Sequence, residues 1–237
     1  SGPLIFLLIS FFEGLTMGAS VTISRYFGAG DKKGVEKAVH TSMMLTAILC
    51  VIFTVAGVIS APGMLDLMLD SERAGYSEMF GAGKTYLTIY FAGVSGLLIY
   101  NMGAGIMRAV GDSTRPLYFL IVCAIANTCL DFLFVFKFKM GVAGVALATV
   151  ISQIISAVLT MAVLLTTSSC IKITVKKLKL DLKTLKLIAI IGVPSAIQLA
   201  LTAFANVFVQ AYIAGTNGDM TVNTGGWTTY SKIDQFI

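Results

Sequence analysis

The run Pro116-Leu-Tyr-Phe-Leu-Ile-Val-Cys-Ala-Ile-Ala-Asn-Thr-Cys-Leu-Asp-Phe-Leu-Phe-Val-Phe136 carries a single charged side chain, Asp131. As an α-helix it is about 32 Å long, against a bilayer hydrocarbon core of about 30 Å. Pro116 suits a first helical turn, with Ser113 or Thr114 before it as the expected cap. A segment this long and apolar is read as a transmembrane helix, and the fold follows from finding more of them on either side.

Upstream, apolar spans run from about Leu4 to Ile23, Ala38 to Ser60 and Tyr86 to Met107; downstream, from about Val142 to Leu165 and Leu187 to Ile213. The first ends in the turn-rich Gly28-Ala-Gly-Asp-Lys-Lys-Gly34, and the second is expected to close at Ala61-Pro62-Gly63. Pro194 lies inside the last span and is expected to kink or loosen it. A further span begins near Trp227. Of the 237 residues, 57% are hydrophobic and 12% charged, about half the charge of an ordinary soluble domain. The expected fold is an all-α membrane protein, with six full transmembrane helices and the start of a seventh.

The formal net charge of +5 does not indicate nucleic acid, because the basic residues sit in short loops between apolar runs. Alternate loops are strongly unequal. One set holds Arg25, Lys32, Lys33 and Lys37, then Arg108 and Arg115, then six lysines between Lys172 and Lys186; the other holds only Arg73, Lys84, Lys137 and Lys139. The positive-inside rule makes the richer side cytoplasmic. The first span then starts outside the cell, so a protein with a cytoplasmic N-terminus needs one more helix upstream. The chain opens on Ser1 and stops at Ile237 beside apolar runs, and both ends look cut. Cys50, Cys123, Cys129 and Cys170 show no metal-ligand or disulfide spacing.

Ser168–Lys186 is the longest Lys-rich stretch. Placing Leu178, Leu182 and Leu185 on one helical face gives an amphipathic connector on the anionic inner leaflet. A solvated topogenic loop is the equal alternative.

Ionisable residues inside spans come next, each costing about 2.5–3.5 kcal/mol at a helix centre on insertion scales. Asp131 lies about 22 Å along its helix from Pro116, in the half remote from the basic loops. Asn127 precedes it by one turn on the same face. A carboxylate and an amide stacked this way can share a proton or offer oxygens to a small hard cation. The structural alternative is an interhelical hydrogen bond, or a snorkel toward Lys137. Glu13, beside Gly14, is a second intramembrane acidic candidate, with packing on a polar partner at least as good a reading. Gly14 with Gly18, and Gly144 with Ala148, are small-xxx-small pairs that indicate close helix packing. His40 has no second ligand at metal spacing, so no metal is expected. No hydrolase or nucleotide-binding motif is present, and no enzyme activity or cofactor is expected.

Four segments resemble one family. Gly105-Ile-Met-Arg-Ala-Val-Gly-Asp-Ser-Thr-Arg-Pro116 resembles the loop after the fourth helix of the multidrug and toxic compound extrusion (MATE) family. Gly141-Val-Ala-Gly-Val-Ala-Leu-Ala-Thr-Val-Ile-Ser-Gln153 is similar to the start of its sixth helix. Gly18-Ala-Ser-Val-Thr-Ile-Ser-Arg-Tyr-Phe-Gly-Ala-Gly-Asp31 resembles the end of its second, and Gly192-Val-Pro-Ser-Ala-Ile-Gln198 the opening of its seventh. The order is correct over nearly the whole chain.

The resemblance implies a register from the family's second helix to the start of its eighth, within a fold of two six-helix lobes. Residues 1–167 would be the first lobe without its first helix, 168–186 the basic cytoplasmic connector, and 187–237 the beginning of the second lobe. It also implies a coupling-ion site for H⁺ or Na⁺ at Asn127 and Asp131, with Thr149 from the next helix. Some members use an acidic residue on the seventh helix, but Leu187–Ile213 contains no Asp or Glu, only Gln198 and Asn206 as polar amides.

The implied function is a secondary antiporter that exports small organic, cationic compounds in exchange for the coupling cation. Its expected setting is the cell membrane, as a multi-pass protein of the bacterial inner membrane, monomeric when complete. The rival within the superfamily is a lipid-linked oligosaccharide flippase, whose cavity carries several Arg or Lys for pyrophosphate. The first-lobe spans here are almost free of them. A membrane enzyme and a non-transporting receptor or scaffold are more distant alternatives; the first lacks a motif, and vesicle flux separates the second.

Overall fold

The computed structural model describes residues 2–68 and 76–215. Six long helices follow one another: α1 (Gly2–Gly28), α2 (Lys32–Met68), α3 (Tyr76–Ala109), α4 (Thr114–Asp131), α5 (Gly141–Thr166) and α6 (Leu182–Gly215). There is no strand among the described residues. Five of the helices contain stretches long and apolar enough to cross a membrane: Lys32–Ala61, Gly83–Ala109, Thr114–Lys137, Gly141–Thr166 and Leu182–Thr202. The span expected near Trp227 lies outside the described residues.

Local chemistry sets the helix ends. Gly30 (φ 72°) and Gly111 (φ 87°) take the left-handed conformation that lets a chain turn off a helix. After α1 the Asp31 N–H reaches back to the Tyr26 carbonyl at 3.0 Å, and after α3 the Asp112 N–H reaches Met107 at 3.0 Å. Both are six-to-one closures that satisfy end carbonyls. Asp31 then starts α2, its Oδ1 accepting from the Gly34 N–H at 2.9 Å. Asp181 does the same for α6, accepting from the Thr184 N–H at 3.1 Å and the Thr184 hydroxyl at 2.5 Å. These two bonds hold the Asp181 carboxyl below its ordinary range, with Lys37 and Lys183 nearby adding to the effect. The stabilisation this cap contributes is therefore complete at neutral pH and is lost only as pH falls through that lowered value.

Three expectations about helix ends need correction. The second apolar stretch ends at Ala61 as expected, but helix α2 itself runs on through Pro62 to Met68. A proline in a membrane helix is tolerated where neighbouring groups re-satisfy the backbone, whereas a break in hydrocarbon strands carbonyls outright. Ser113 stands at the start of α4 but makes no side-chain cap bond. Asp112 takes that role instead, accepting from the Arg115 N–H at 3.2 Å. The third correction concerns the connector. Leu178 precedes α6 in extended backbone, so it cannot share a helical face with Leu182 and Leu185.

The connector between α5 and α6 is neither an amphipathic helix nor a free loop. Ile171 and Ile173 are buried in the same core as Val35 and Val39 of α2. The His40 ring fastens the segment further. Its Nδ1 donates to the Glu36 carbonyl at 2.7 Å, which leaves Nε2 as the acceptor for the Thr174 N–H at 3.0 Å. The Asp181 N–H donates to the Thr41 hydroxyl at 3.3 Å, and Lys177 Nζ to Glu36 Oε1 at 2.8 Å. A His40→Ala change should leave the Thr174 N–H without an acceptor, at about 1–3 kcal/mol for a buried group. Amide exchange and proteolysis across residues 168–181 should accelerate while the helices stay protected. Unchanged protection of Thr174 would mean that the ring does not hold the connector.

Both small-residue pairs pack helices, as expected. A Cβ added at Gly18 would lie 2.6 Å from the Gly192 Cα, and one at Gly14 would lie 2.6 Å from the Ala196 Cβ. No such approach is possible between larger residues, so α1 and α6 meet backbone to backbone. A Cβ at Gly144 would lie 3.0 Å from the Phe134 Cβ, in the turn that follows α4. On α3, a Cβ at Gly105 would strike Thr16 of α1, and one at Gly103 would strike Thr160 of α5. Helix α3 is therefore clasped from both sides. Its buried Leu98, Met102 and Ile106 form one core with Phe12, Ala19 and Ile23 of α1. By contrast α4 packs chiefly on α5 and buries only Pro116. Leu117, Ile121, Val122 and Ile125 are exposed on it, an apolar face of the kind that meets lipid or another helix rather than water.

Candidate functional site

Asp131 closes α4, and the chain continues as a π-helical segment, Phe132–Lys137. Here the Phe138 N–H bonds back five residues to the Leu133 carbonyl at 3.1 Å. Such wide turns recur at functional positions in helices, because they re-aim side chains and loosen the regular ladder. The turn is pinned by Phe132 stacked on Phe136, with ring centroids 5.4 Å apart. Lys139 then takes a left-handed backbone (φ 54°) before α5 begins.

The two polar residues picked out by their spacing are both partly buried. Asp131 Oδ1 and Asn127 Nδ2 are fully shielded, and neither has a hydrogen-bond partner among the described residues. An acceptor and a donor one helical turn apart are thus both unmet in a low-dielectric setting, a costly state. A proton on Asp131 relieves the first. A cation does so too, and an Asn127 amide turned over would then present its oxygen in place of its nitrogen. Asp131 does not pair with Lys137, which is exposed and forms no ion pair among the described residues.

Thr149 stands on α5, the helix on which α4 packs. Its hydroxyl donates to the Val145 carbonyl of its own helix at 3.0 Å, leaving the oxygen lone pairs as acceptors. One turn later comes Gln153, whose side chain bonds Tyr90 of α3 while its buried Oε1 has no hydrogen-bond partner among the described residues. Sequence reasoning did not single out Gln153, although an amide four residues from Thr149 in an apolar helix was a visible signal. Glu13 is exposed on α1, a helix packed on α2, α3 and α6 rather than on α4. The structure does not bring it to Asp131, and it shows no polar partner for Glu13 among the described residues. His40 is taken up in holding the connector. No group of His, Cys, Asp or Glu that could hold a metal occurs among the described residues. Gln198 is exposed on α6.

The family model described as MatE matches residues 1–133, more than half of the chain. The chain belongs to the MatE family. It is 31% identical over 230 residues to the probable multidrug resistance protein YoeA of Bacillus subtilis, covering 94% of this chain and 49% of that protein. An outward-facing multidrug resistance MATE family transporter of the MOP superfamily superimposes with TM-score 0.82 at 25% identity, over 98% of this chain and 50% of that one. An inward-facing structure of such a transporter superimposes with TM-score 0.78 at 25% identity, over 94% of this chain and 50% of that one. The MatE chain thus spans about half the length of these relatives. The all-α, multi-pass membrane architecture expected from the sequence is that of the family.

Proposed function

We propose that this MatE chain is the ion-coupling half of a secondary antiporter. The antiporter exports small organic cations in exchange for H⁺ or Na⁺, with Asp131 as the coupling carboxylate, Asn127 beside it and Thr149 facing from α5. The observation that carries this reading is the pair of shielded, unpartnered atoms Asp131 Oδ1 and Asn127 Nδ2 at the junction of α4 with its π-helical turn. Binding a cation there neutralises a charge inside the first lobe. It biases the balance of outward- and inward-open states by the ion's differential affinity for them.

In this reading residues 1–167 belong to one lobe, 168–186 are the cytoplasmic connector, and α6 opens the second lobe. The close seam of Gly14 and Gly18 against Gly192 and Ala196 then joins the two lobes. Its place near the basic end of the bundle suits a state closed toward the cytoplasm. The flippase alternative is disfavoured by the shortage of basic side chains within the first-lobe spans.

The test is counter-transport in proteoliposomes holding the full-length protein. An imposed Na⁺ or H⁺ gradient should drive uptake or release of a cationic dye, and dye gradients should drive the ion the other way. Dye movement indifferent to both gradients would overturn antiport. Glu13→Gln should lower gradient-driven efflux only a few-fold, because Glu13 is exposed and distant in packing from α4. A loss as complete as that of an Asp131 variant would instead place Glu13 in the coupling route.

A further inference from the structure

A second polar feature lies at the opposite end of the bundle from Asp131. Between the start of α2 and the connector there is a cavity of about 510 Å³, bounded by Lys33, Lys37, Lys177, Lys179, His40 and Leu180, with the carboxylates of Glu36 and Asp181 also on its wall. Four lysines against two carboxylates leave the cavity with an excess of two positive charges while His40 is neutral. The two carboxylates are already engaged: Glu36 accepts from Lys177, and Asp181 caps α6. Lys33, Lys37 and Lys179 are exposed and form no salt bridge among the described residues. The walls are fixed, because the bonds that hold the connector, His40 to Thr174 and Thr41 to Asp181, line the same cleft.

The face of α2 below this cavity decides what kind of anion fits. Lys37, Met44, Ile48, Val51 and Val55 recur at helical spacing on one side of the helix. Ile48, Val51 and Val55 are exposed, Val51 at 65% and Val55 at 53%. Below the cationic recess an apolar stripe, Met44 to Val55, thus runs about 17 Å down the helix at 1.5 Å per residue. A soluble phosphate has use for the recess only. A lipid uses both parts, its phosphate in the lysines and its acyl chain along the stripe.

We propose that the cavity formed by Lys33, Lys37, Lys177 and Lys179 is a binding site for the phosphodiester headgroup of an anionic membrane lipid. The bound lipid lies across α2 and the connector at once, so it reinforces the attachment of the connector to the first lobe. The site is independent of the coupling mechanism, since neither Asp131 nor Asn127 contributes to it.

The experiment titrates the full-length protein in detergent with phosphatidylglycerol, and reads retained lipid by native mass spectrometry. Phosphatidylcholine and inorganic phosphate form separate arms. Phosphatidylglycerol should be retained and phosphatidylcholine should not. Each lysine removed should weaken retention roughly fivefold, so Lys37→Gln combined with Lys179→Gln should lose about 25-fold. Glu36→Gln removes a negative charge and frees Lys177, so retention should rise about fivefold, a gain that damage to the fold cannot produce. Retention unchanged in both the double variant and Glu36→Gln would overturn the site. Competition by inorganic phosphate at the same concentration as the lipid would overturn the lipid assignment in favour of a soluble phosphate.

Discussion

Asp131→Asn in the full-length protein should abolish gradient-driven efflux while leaving insertion and abundance near normal. Asparagine keeps the shape of the side chain and part of its hydrogen bonding, but it can neither take up a proton nor present a charge to a cation. The shielded Oδ1 accepts no hydrogen bond among the described residues, so the amide forfeits no contact seen there. The substitution therefore removes the need for an ion rather than a structural contact, and the folded protein should be at least as stable. Coupling energies between sites are typically about 1–3 kcal/mol, or roughly 5–150-fold in a binding ratio. Losing the coupling group should bring the gradient dependence of efflux down by a factor in that range, to the level of facilitated leak. Asn127→Ala and Thr149→Ala each remove one neutral ligand and should weaken coupling less. Proteoliposome flux under an imposed ion gradient is the measurement. Full gradient dependence in Asp131→Asn would make the residue structural and remove it from the coupling site.

Gly18→Leu should have the second large effect, through packing rather than charge. A Cβ at this position would stand 2.6 Å from the Gly192 Cα, and a leucine adds three more carbons beyond it. Helices α1 and α6 can then no longer meet. Overpacking in a tight core costs about 1–3 kcal/mol, and here the resistance comes from backbone that no rotamer change relieves. In the two-lobe reading the seam has an alternative to strain, which is to open. The expected result is a protein that inserts but resides inward-open, with transport lost. Cysteine labelling at positions lining the cytoplasmic half of the seam should accelerate, and Gly18→Ala should lie between the two. Labelling as slow as in the parent, with transport retained, would show that the seam tolerates bulk and does not gate the cavity.

The spans were legible because hydrocarbon imposes a length and excludes charge, and both constraints act on composition alone. Gly14 and Gly18 were legible as packing residues for a similar reason, since four-residue spacing of small side chains needs no partner to be noticed. Their partners, Gly192 and Ala196, lie more than 170 residues away in sequence and could not be paired with them beforehand. The connector misled for a physical cause. Leu178, Leu182 and Leu185 do fit a helical repeat, but Asp181 caps the helix between the first and second of them, and burial of Ile171 and Ile173 against α2 ties down a connector whose turn ends at Lys177, with Leu178 extended after it. Local periodicity lost to a cap and two buried side chains. Asp131 and Asn127 stood out as polar atoms in an apolar run, whereas the π-helical turn after them left no mark, because Phe-Leu-Phe-Val-Phe is as apolar as any regular helix. Thr149 could be reached only through the family resemblance, whereas Gln153, an amide one turn from it in an apolar helix, could have been noticed in the sequence alone.

The fastening of Asp181 to Thr41 has a mechanical consequence. It fixes the residue just before α6 to the first turns of α2, so α6 has a pivot rather than a free end. Rotation about that point turns small angles into useful distances, because Ala196 lies about 22 Å along the lever at 1.5 Å per residue. A swing of roughly 10° carries Ala196 about 4 Å on that arm, enough to part a backbone-to-backbone seam from Gly14 without shifting the fulcrum. In the two-lobe reading proposed above, the three contacts on Glu36, His40 and Thr41 would be the bearing on which the second lobe turns.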